Sequence, residues 1–145
     1  MVMDTIIHTV PVLLLLAILG CETSSSVTTT ATGMVMADGE PLSGAVITLE
    51  PMGKTTGPNG SAPVFNGRFE IGNDAKLQGG TYRVRVSMLP TEILESMRRS
   101  GISETPPPGR VVAPAFDTDS VLTCELTRGP NDALTFDISF LKANR

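Results

Sequence analysis

The feature that most constrains this chain is a series of short segments in which apolar and polar residues alternate, separated by glycine- and proline-rich turns. Alternation with a period of two places the apolar side chains of a strand on one face and the polar ones on the other. The clearest apolar series are Tyr82, Val84, Val86 and Met88; Leu122, Cys124 and Leu126; and Leu134, Phe136, Ile138 and Phe140. Several short, half-buried strands of this kind predict an antiparallel β-sandwich.

Turn residues divide these segments and predict where the chain reverses. Asp38-Gly39 and Asn66-Gly67 tolerate the positive φ angles that tight hairpins require. Gly33–Ala37 and Ala45–Leu49 supply two further strands. Because Ala45–Leu49 is apolar on both faces, we expect it to be a central strand. The sequence therefore predicts an all-β fold.

One segment departs from the alternation. Residues 91–99 fit a short helix with its acidic residues first and its basic residues last, which suits the helix dipole. Thr91 is the candidate N-cap and Gly101 can end the helix. The proline-rich stretch 104–109 must then be extended. We predict that 91–113 is an excursion between two core strands, and such long loops on a rigid scaffold often carry function.

The N-terminus carries a different signal. Val10–Leu19 reads VPVLLLLAIL, which is shorter than the roughly 20 apolar residues that a membrane span needs and suits the apolar region of a secretory signal peptide. Ile18-Leu19-Gly20-Cys21 resembles the lipobox of bacterial lipoproteins, in which the cysteine thiol receives a diacylglyceryl group. We therefore predict a signal peptide at 1–20, cleavage between Gly20 and Cys21, and lipidation of Cys21.

An alternative remains open at this end of the chain. The segment before the apolar run has no Lys or Arg and contains Asp4, whereas signal peptides normally begin with positive charge. The alternative is a short uncleaved hydrophobic anchor in which Cys21 is incidental. Residues 21–32 are polar and Ser/Thr-rich, which predicts a lipidated N-terminus followed by a flexible tether. Glu22 is not the Asp that signals inner-membrane retention in enteric bacteria, which favours the periplasmic face of the outer membrane.

Composition limits the chemistry that the chain can perform. The single histidine, His8, lies in the predicted signal peptide, so the mature protein would lack the commonest general base and metal ligand. Lys and Arg number 11 against 15 Asp and Glu, a formal net charge of −4, which gives no basic footprint for nucleic acid. We predict that the protein is not an enzyme and has no catalytic residues, no metal and no cofactor.

Three groups could still carry chemistry, and each has a simpler structural explanation. Cys124 could be a reactive thiol, but its apolar neighbours predict a small core residue. Asp117 and Asp119 could help to bind Ca²⁺, but the glycine and distal Glu of a calcium loop are missing, which favours a solvated turn. Met52–Gly60 lacks the spacing of a phosphate-binding loop, so we predict a mobile loop. Tyr82, the one tyrosine, points inward in this scheme, which leaves little for a carbohydrate-binding platform.

Four stretches carry a resemblance to a known family. Gly33–Pro51 runs as strand, Asp-Gly, Pro-Leu, Gly-Ala and apolar strand, and it resembles the opening of carboxypeptidase regulatory-like domains. Asn66–Ile71 is similar to the hairpin of that family, and Gly80–Val86 is similar to its Gly-Tyr-x-Val-x-Val strand. Leu122–Ile138 resembles the closing strands of small secreted bacterial proteins of this kind.

The resemblance implies a seven-stranded, Ig-like or transthyretin-like antiparallel sandwich at 33–140, with one short helix in a connecting excursion. It implies no catalysis, because such domains are accessories beside the zinc domain of metallocarboxypeptidases. Together with the lipobox, it predicts a non-enzymatic, lipid-anchored envelope protein that contacts the membrane through Cys21 and an unknown envelope protein or small ligand through its sheet edges or loops. The alternatives are a solute- or carbohydrate-binding accessory of an envelope enzyme, and an enzyme with a carboxylate-only site.

Overall fold

Two β-sheets pack face to face in the computed structural model, which describes residues 27–101 and 109–142. The strands are β1 (Thr30–Ala37), β2 (Glu40–Pro41), β3 (Ala45–Pro51), β4 (Gly60–Val64), β5 (Arg68–Ile71), β6 (Gly80–Met88), β7 (Thr123–Leu126) and β8 (Pro130–Ile138). One α-helix, α1 (Thr91–Arg99), and two short 3-10 turns at Asn73–Ala75 and Pro114–Phe116 lie in the connections between strands. The predicted all-β sandwich with one short helix is confirmed at this level.

The first sheet is mixed rather than antiparallel, which corrects the prediction. β1 pairs in parallel with β8 on one side and antiparallel with β5 and β2 on the other. The second sheet has the order β4-β3-β6-β7 and is antiparallel throughout. β3 is central, as its two apolar faces predict. The described residues hold eight strands, not seven, because positive φ angles at Asp38 and Gly39 turn the chain straight back onto β1 and add the two-residue β2.

The core lies between the sheets and is built from the inward residues of the alternating segments. Its fully buried members include Val35, Ile47, Leu49, Ile71, Tyr82, Val84 and Val86. The rings of Phe69 on β5 and Phe136 on β8 stack with their centroids 6.0 Å apart. The Tyr82 hydroxyl donates to the Gln78 carbonyl at 3.0 Å and accepts the Gln78 N–H at 2.9 Å. Tyr82 therefore points inward, as predicted, and its polar end is satisfied within the fold.

The first strand begins earlier than the sequence suggests. Thr29 already bridges Leu77, β1 starts at Thr30, and Ala31 is fully buried. The last residues of the predicted tether, 21–32, therefore belong to the sheet. Alternation of small and β-branched residues is compatible with a strand, and the low complexity of the segment concealed it. The predicted signal peptide at 1–20, its cleavage site and Cys21 lie outside the described residues.

A bulge interrupts the pairing of β1 with β8. The register shifts by one residue between Ala31 and Gly33, and the extra residue is accommodated where Ala133 adopts a left-handed φ of 62°. A Cβ on Gly33 would lie 2.1 Å from the Leu134 carbonyl oxygen. Only glycine therefore allows this pairing. β8 starts at Pro130, and its first two residues pair with Thr30 and Ala31 in the register that precedes the bulge.

Helix α1 spans the predicted residues but begins differently. Its N-cap is Pro90, not Thr91, and no side chain caps it. The Pro90 carbonyl accepts the N–H groups of Ile93 and Leu94 at 3.0 and 3.1 Å, so the extended Pro90 starts the helix one residue earlier. Gly101 follows the last turn with a φ of 86°, as predicted. No residue of α1 is buried, and no helix in the described ranges is long and apolar enough to cross a bilayer.

The return half of the predicted excursion is part of the fold. Val112 bridges Phe140 just beyond the end of β8 and is only 3% exposed. Backbone hydrogen bonds join the Ala113 N–H to the Ser139 carbonyl at 2.9 Å and the Leu141 N–H to the Val111 carbonyl at 2.8 Å. Of the described part of 91–113, Val112 belongs to the core, whereas most of the helix and residues 109–111 are exposed.

Replacing Gly33 by alanine tests the bulge. We expect Gly33→Ala to lower the free energy of unfolding by about 2 kcal/mol, because the new methyl group overpacks the backbone of β8. Urea denaturation at neutral pH measures the difference. Ala133→Gly is the matched control on the other strand, and it should raise stability by about 0.5 kcal/mol by relieving the left-handed alanine. Equal stability of Gly33→Ala and the wild type would contradict the pairing described here.

Candidate functional site

A set of charged side chains lies on the outer face of the second sheet. Glu50 at the end of β3 lies directly opposite Arg83 on β6, and Arg85 follows on the same face of that strand. Glu50 Oε2 accepts hydrogen bonds from Arg83 Nε at 2.9 Å and Nη2 at 2.8 Å, while Glu50 Oε1 accepts one from Arg85 Nη1 at 2.9 Å. We call Glu50, Arg83, Arg85 and Asp117 the arginine network.

Asp117 joins the network from the connection that precedes β7. Arg85 Nη2 donates to Asp117 Oδ1 and Arg85 Nε donates to the Asp117 carbonyl oxygen, both at 3.1 Å. The Ser120 hydroxyl donates to the Val84 carbonyl in the same region. These contacts fasten the 114–120 connection to β6. The side chain of Asp117 is therefore occupied by an ion pair.

The Asp117-Asp119 segment forms a turn, as the simpler interpretation held. The Ser120 N–H donates to the Asp117 carbonyl at 3.2 Å and the Asp119 N–H donates to the Pro114 carbonyl at 2.9 Å. The cation that faces Asp117 is the Arg85 guanidinium. Across residues 27–101 and 109–142 no group of three or more His, Cys, Asp or Glu side chains is placed to hold a metal ion.

Charge pairing determines the protonation of the arginine network. The hydrogen bond from Arg85 lowers the pKa of Glu50 below its ordinary value of 4.5, with partial burial acting against it and Arg83 reinforcing it. The same bond to Glu50, together with the one to Asp117, raises the pKa of Arg85. Glu50 is therefore ionised at neutral pH, and its lowered pKa makes it a weak base. The arrangement stabilises the outer face of the sheet.

Cys124 lies at the margin of the core rather than deep within it. It sits on β7 opposite Tyr82, is half-buried and packs against the buried cluster. Burial, aided by the neighbouring charge of Glu125, raises the pKa of the Cys124 thiol to about 11. Because the thiolate is the reactive form of cysteine, this thiol is largely unreactive at neutral pH.

The loop between β3 and β4 does not form a phosphate-binding motif. A strand, β4, follows it in place of a helix. The Met52 N–H donates to the Thr81 carbonyl at 2.9 Å, and the Thr81 N–H donates to Thr55 Oγ1 at 2.8 Å. These hydrogen bonds tie the first part of the loop to β6, which the prediction of a mobile loop did not anticipate. Lys54 lies in this loop without an ion-pair partner among the described residues.

A small cleft lies at the end of the sandwich near the Asp38-Gly39 turn. Arg110 Nη1 lies 3.6 Å from Asp38 Oδ2, and the Arg110 guanidinium carbon lies 5.0 Å from the centre of the Phe140 ring. The cleft encloses about 240 Å³, below the roughly 300–1,000 Å³ of typical ligand pockets. Arg110 therefore links the β1–β2 turn to the residues that follow β8. We call this pair of contacts, from Arg110 to Asp38 and Phe140, the Arg110 clasp.

Sequence reasoning missed both the arginine network and the clasp. Because Tyr82, Val84 and Val86 face the core, the alternation implies that Arg83 and Arg85 lie on the solvent face of the strand, but it does not assign them a partner. A signal was available, because Glu50 ends the apolar strand β3 and would face a neighbouring strand that carries alternate arginines. Nothing in the local sequence indicates that Arg110 contacts Asp38, because that contact depends on the path of the chain beyond α1.

Replacing Glu50 by glutamine tests the arginine network. We expect Glu50→Gln to lower the free energy of unfolding by about 1 kcal/mol at pH 7, because two arginines lose a charged acceptor at a half-exposed site. The lowered pKa of Glu50 means that its stabilisation is present above pH 4.5 and is lost as the pH falls through the folded-state value. The difference from the wild type should therefore shrink as the pH falls below 4.5 in urea titrations.

Glu70→Gln is the matched control for that experiment. Glu70 is exposed on β5 and has no ion-pair partner among the described residues. Its replacement should change stability by less than about 0.5 kcal/mol at any pH. Equal effects of the two substitutions at pH 7 would show that the arginine network contributes nothing.

Alkylation kinetics test the environment of Cys124. With a thiol pKa of about 11, we expect iodoacetamide to modify Cys124 roughly 100-fold more slowly at pH 8 than an exposed cysteine. Mass spectrometry of the Cys124 peptide follows the reaction. The control is the Thr123→Cys, Cys124→Ser variant, which moves the thiol to the exposed neighbour on β7. Comparable rates at the two positions would rule out a shielded Cys124.

Comparison with known proteins identifies no relative of this chain. No protein-family model, no curated protein and no solved structure matches it.

Proposed function

We propose that this chain is an exported, lipid-anchored protein of the bacterial cell envelope with no enzymatic activity. The observation that carries the proposal is the short apolar run ending in Ile18-Leu19-Gly20-Cys21. The described fold is compatible with it, because β1 begins at Thr30, close behind the predicted lipidation site. The lipid on Cys21 fixes the protein to the periplasmic face of the outer membrane, and the β-sandwich is the part that contacts a partner.

We further propose that the sandwich is of the transthyretin-like type found in carboxypeptidase regulatory-like domains. Support comes from the Asn66-Gly67 sequence, which forms a hairpin turn with φ angles of 49° and 73° as the resemblance implies, and from the Gly80–Val86 strand, which forms most of β6. In this comparison β2 is an addition to seven principal strands. The resemblance supports an accessory role for this chain, because domains of this family are accessories and not catalysts.

The chemistry of the described residues supports a binding or structural role. Glu50 and Asp117 are engaged by arginines, and the Cys124 thiol has a pKa of about 11. These groups are fixed in structural contacts, which favours an interaction module over a catalyst. The exposed helix α1 and the free edges of the sheets are the surfaces that an envelope protein would meet.

One observation bears on the alternative of a solute- or carbohydrate-binding accessory. An open groove of about 660 Å³ crosses the outer face of the first sheet, with Met34, Phe65, Arg68 and Glu70 among its lining residues. The groove is large enough for a small solute. The one tyrosine, Tyr82, is fully buried, so a carbohydrate would find in the groove only the partly buried ring of Phe65 and the buried ring of Phe69. We therefore favour a protein partner.

Mass spectrometry of protein extracted from its own envelope tests the proposal. We expect an N-terminus at Cys21 carrying a diacylglyceryl group, whose two acyl chains suffice for stable anchoring, and an acylated amine. Cys21→Ser should abolish both modification and processing. Cys124→Ser, the matched control, should leave both unchanged. An intact Met1 N-terminus or an unmodified Cys21 in the membrane-bound protein would refute the proposal.

A further inference from the structure

The N-terminal segment meets the sandwich at one end, among three loops. Thr29 bridges Leu77, and the Thr30 N–H donates to the Gly129 carbonyl at 3.2 Å. A Cβ on Gly129 would lie 3.5 Å from Val27 Cγ1. The chain that arrives from Cys21 therefore reaches the fold beside the β5–β6 and β7–β8 connections.

These connections and the β3–β4 loop form one continuous surface. A Cβ on Gly79 would lie 3.2 Å from Arg128 Cγ, and one on Gly57 would lie 3.4 Å from Gln78 Cγ. The Thr55 hydroxyl accepts the Thr81 N–H at 2.8 Å. We call this surface, made of residues 52–57, 74–80 and 127–129 together with Val27, the N-terminal loop end.

The N-terminal loop end is cationic, although the whole chain has a formal charge of −4. It carries Lys54, Lys76 and Arg128 against one acidic residue, Asp74. None of these three cations forms an ion pair within the described ranges, because the ion pairs there belong to the arginine network and to the Arg110–Asp38 clasp. Their charge is therefore available to a partner outside the molecule.

Exposed apolar side chains accompany the cations. Val27 is 65% exposed and Met52 is 38% exposed. An open depression of about 560 Å³ beside Met52 is lined by Lys54, Thr55, Gly79 and Gly80, among others. Cations beside exposed apolar groups suit the boundary between lipid headgroups and water.

The length of the tether brings this surface close to the lipid. Thr29 follows Cys21 by eight residues, which span at most about 28 Å when fully extended. Electrostatic attraction to a charged surface extends over a Debye length of about 8 Å at physiological ionic strength. A lipid on Cys21 would hold the start of the fold no farther than about 28 Å from the headgroups, and the N-terminal loop end is the part of the fold nearest to that attachment.

We propose that the N-terminal loop end docks on the anionic phospholipid headgroups of the leaflet that holds the lipid anchor. This inference rests on the proposed lipidation of Cys21. Docking orients the sandwich on the membrane. It points the opposite end, with α1 and the Arg110 clasp, toward the aqueous compartment where a protein partner would bind.

Fluorescence quenching on vesicles tests the orientation. Lipidated protein with Cys124→Ser is labelled at Thr56→Cys, in the N-terminal loop end, or at Glu92→Cys on α1, and is reconstituted in phosphatidylcholine vesicles with or without phosphatidylglycerol. A headgroup-attached nitroxide is the quencher. We expect several-fold stronger quenching at position 56 than at 92, only when phosphatidylglycerol is present, and loss of the difference in high salt.

Charge variants complete the test. Lys54→Gln, Lys76→Gln and Arg128→Gln together should remove the difference between the two labels. The matched control removes three cations elsewhere, Arg68→Gln, Arg98→Gln and Lys142→Gln, and should preserve the difference. Inorganic phosphate at the same ionic strength should act no more strongly than chloride, because the partner is a surface and not a free anion.

The outcomes separate the two proposals. Equal quenching of the two labels in protein whose mass confirms the lipid would overturn docking and leave the anchor intact. Docking would also be overturned if the difference in quenching persisted in high salt or in the variant that lacks Lys54, Lys76 and Arg128. It would likewise be overturned if phosphate abolished the difference at an ionic strength where chloride did not. Protein whose mass shows an unmodified Cys21 would overturn the anchor, and docking with it.

Discussion

The parallel pairing of β1 with β8 is the contact on which the rest of this structure depends. β1 lies between β8 on one side and β5 and β2 on the other, so it holds the first sheet together. The pairing is possible because Gly33 has no side chain where the Leu134 carbonyl approaches. Ala31 and Val35, on either side of Gly33, are fully buried against the second sheet. Loss of β1 would therefore open the core as well as the sheet.

The same strand links the fold to the proposed function. Because β1 is the first strand, the segment that leads from Cys21 is attached to the most heavily paired part of its sheet. The two ends of the sandwich carry different charged groups. The end where β1 begins carries Lys54, Lys76 and Arg128, whereas the end where β1 finishes carries the Arg110–Asp38 clasp. Under the proposed anchoring, the end where β1 begins would face the membrane and the other end would face a partner.

Much of the fold can be predicted from local sequence because its determinants are local. The period of two places Tyr82, Val84 and Val86 in the core, and the hairpin at Asn66-Gly67 needs only two residues that accept positive φ. The parallel pairing and the bulge escape prediction because they join residues about 100 positions apart. The turn-like composition around Pro130 also conceals the start of β8. The family resemblance, which no comparison tests, stays a proposal.

The candidate surfaces are less predictable than the fold, for a related reason. The charges of Arg83 and Arg85 are evident in the sequence, but their neutralisation by Glu50 depends on strand register and that by Asp117 depends on the path of the connection before β7. The cationic loop end likewise combines residues from three loops that are distant in sequence. Net charge conceals it, because the chain as a whole is acidic.

Native-state hydrogen exchange of the β1 amides tests the central claim most directly. If β1 is the strand that holds the first sheet, the amides of its central residues that are bonded to β8 or β5 should exchange only through global unfolding. Their free energy of opening should then equal that of the central strand β3. It should also fall with denaturant concentration as steeply as the free energy of global unfolding does. Exchange of β1 through a local opening, with β3 still protected, would contradict the account, since the anchor would then be attached to a strand that separates from the fold.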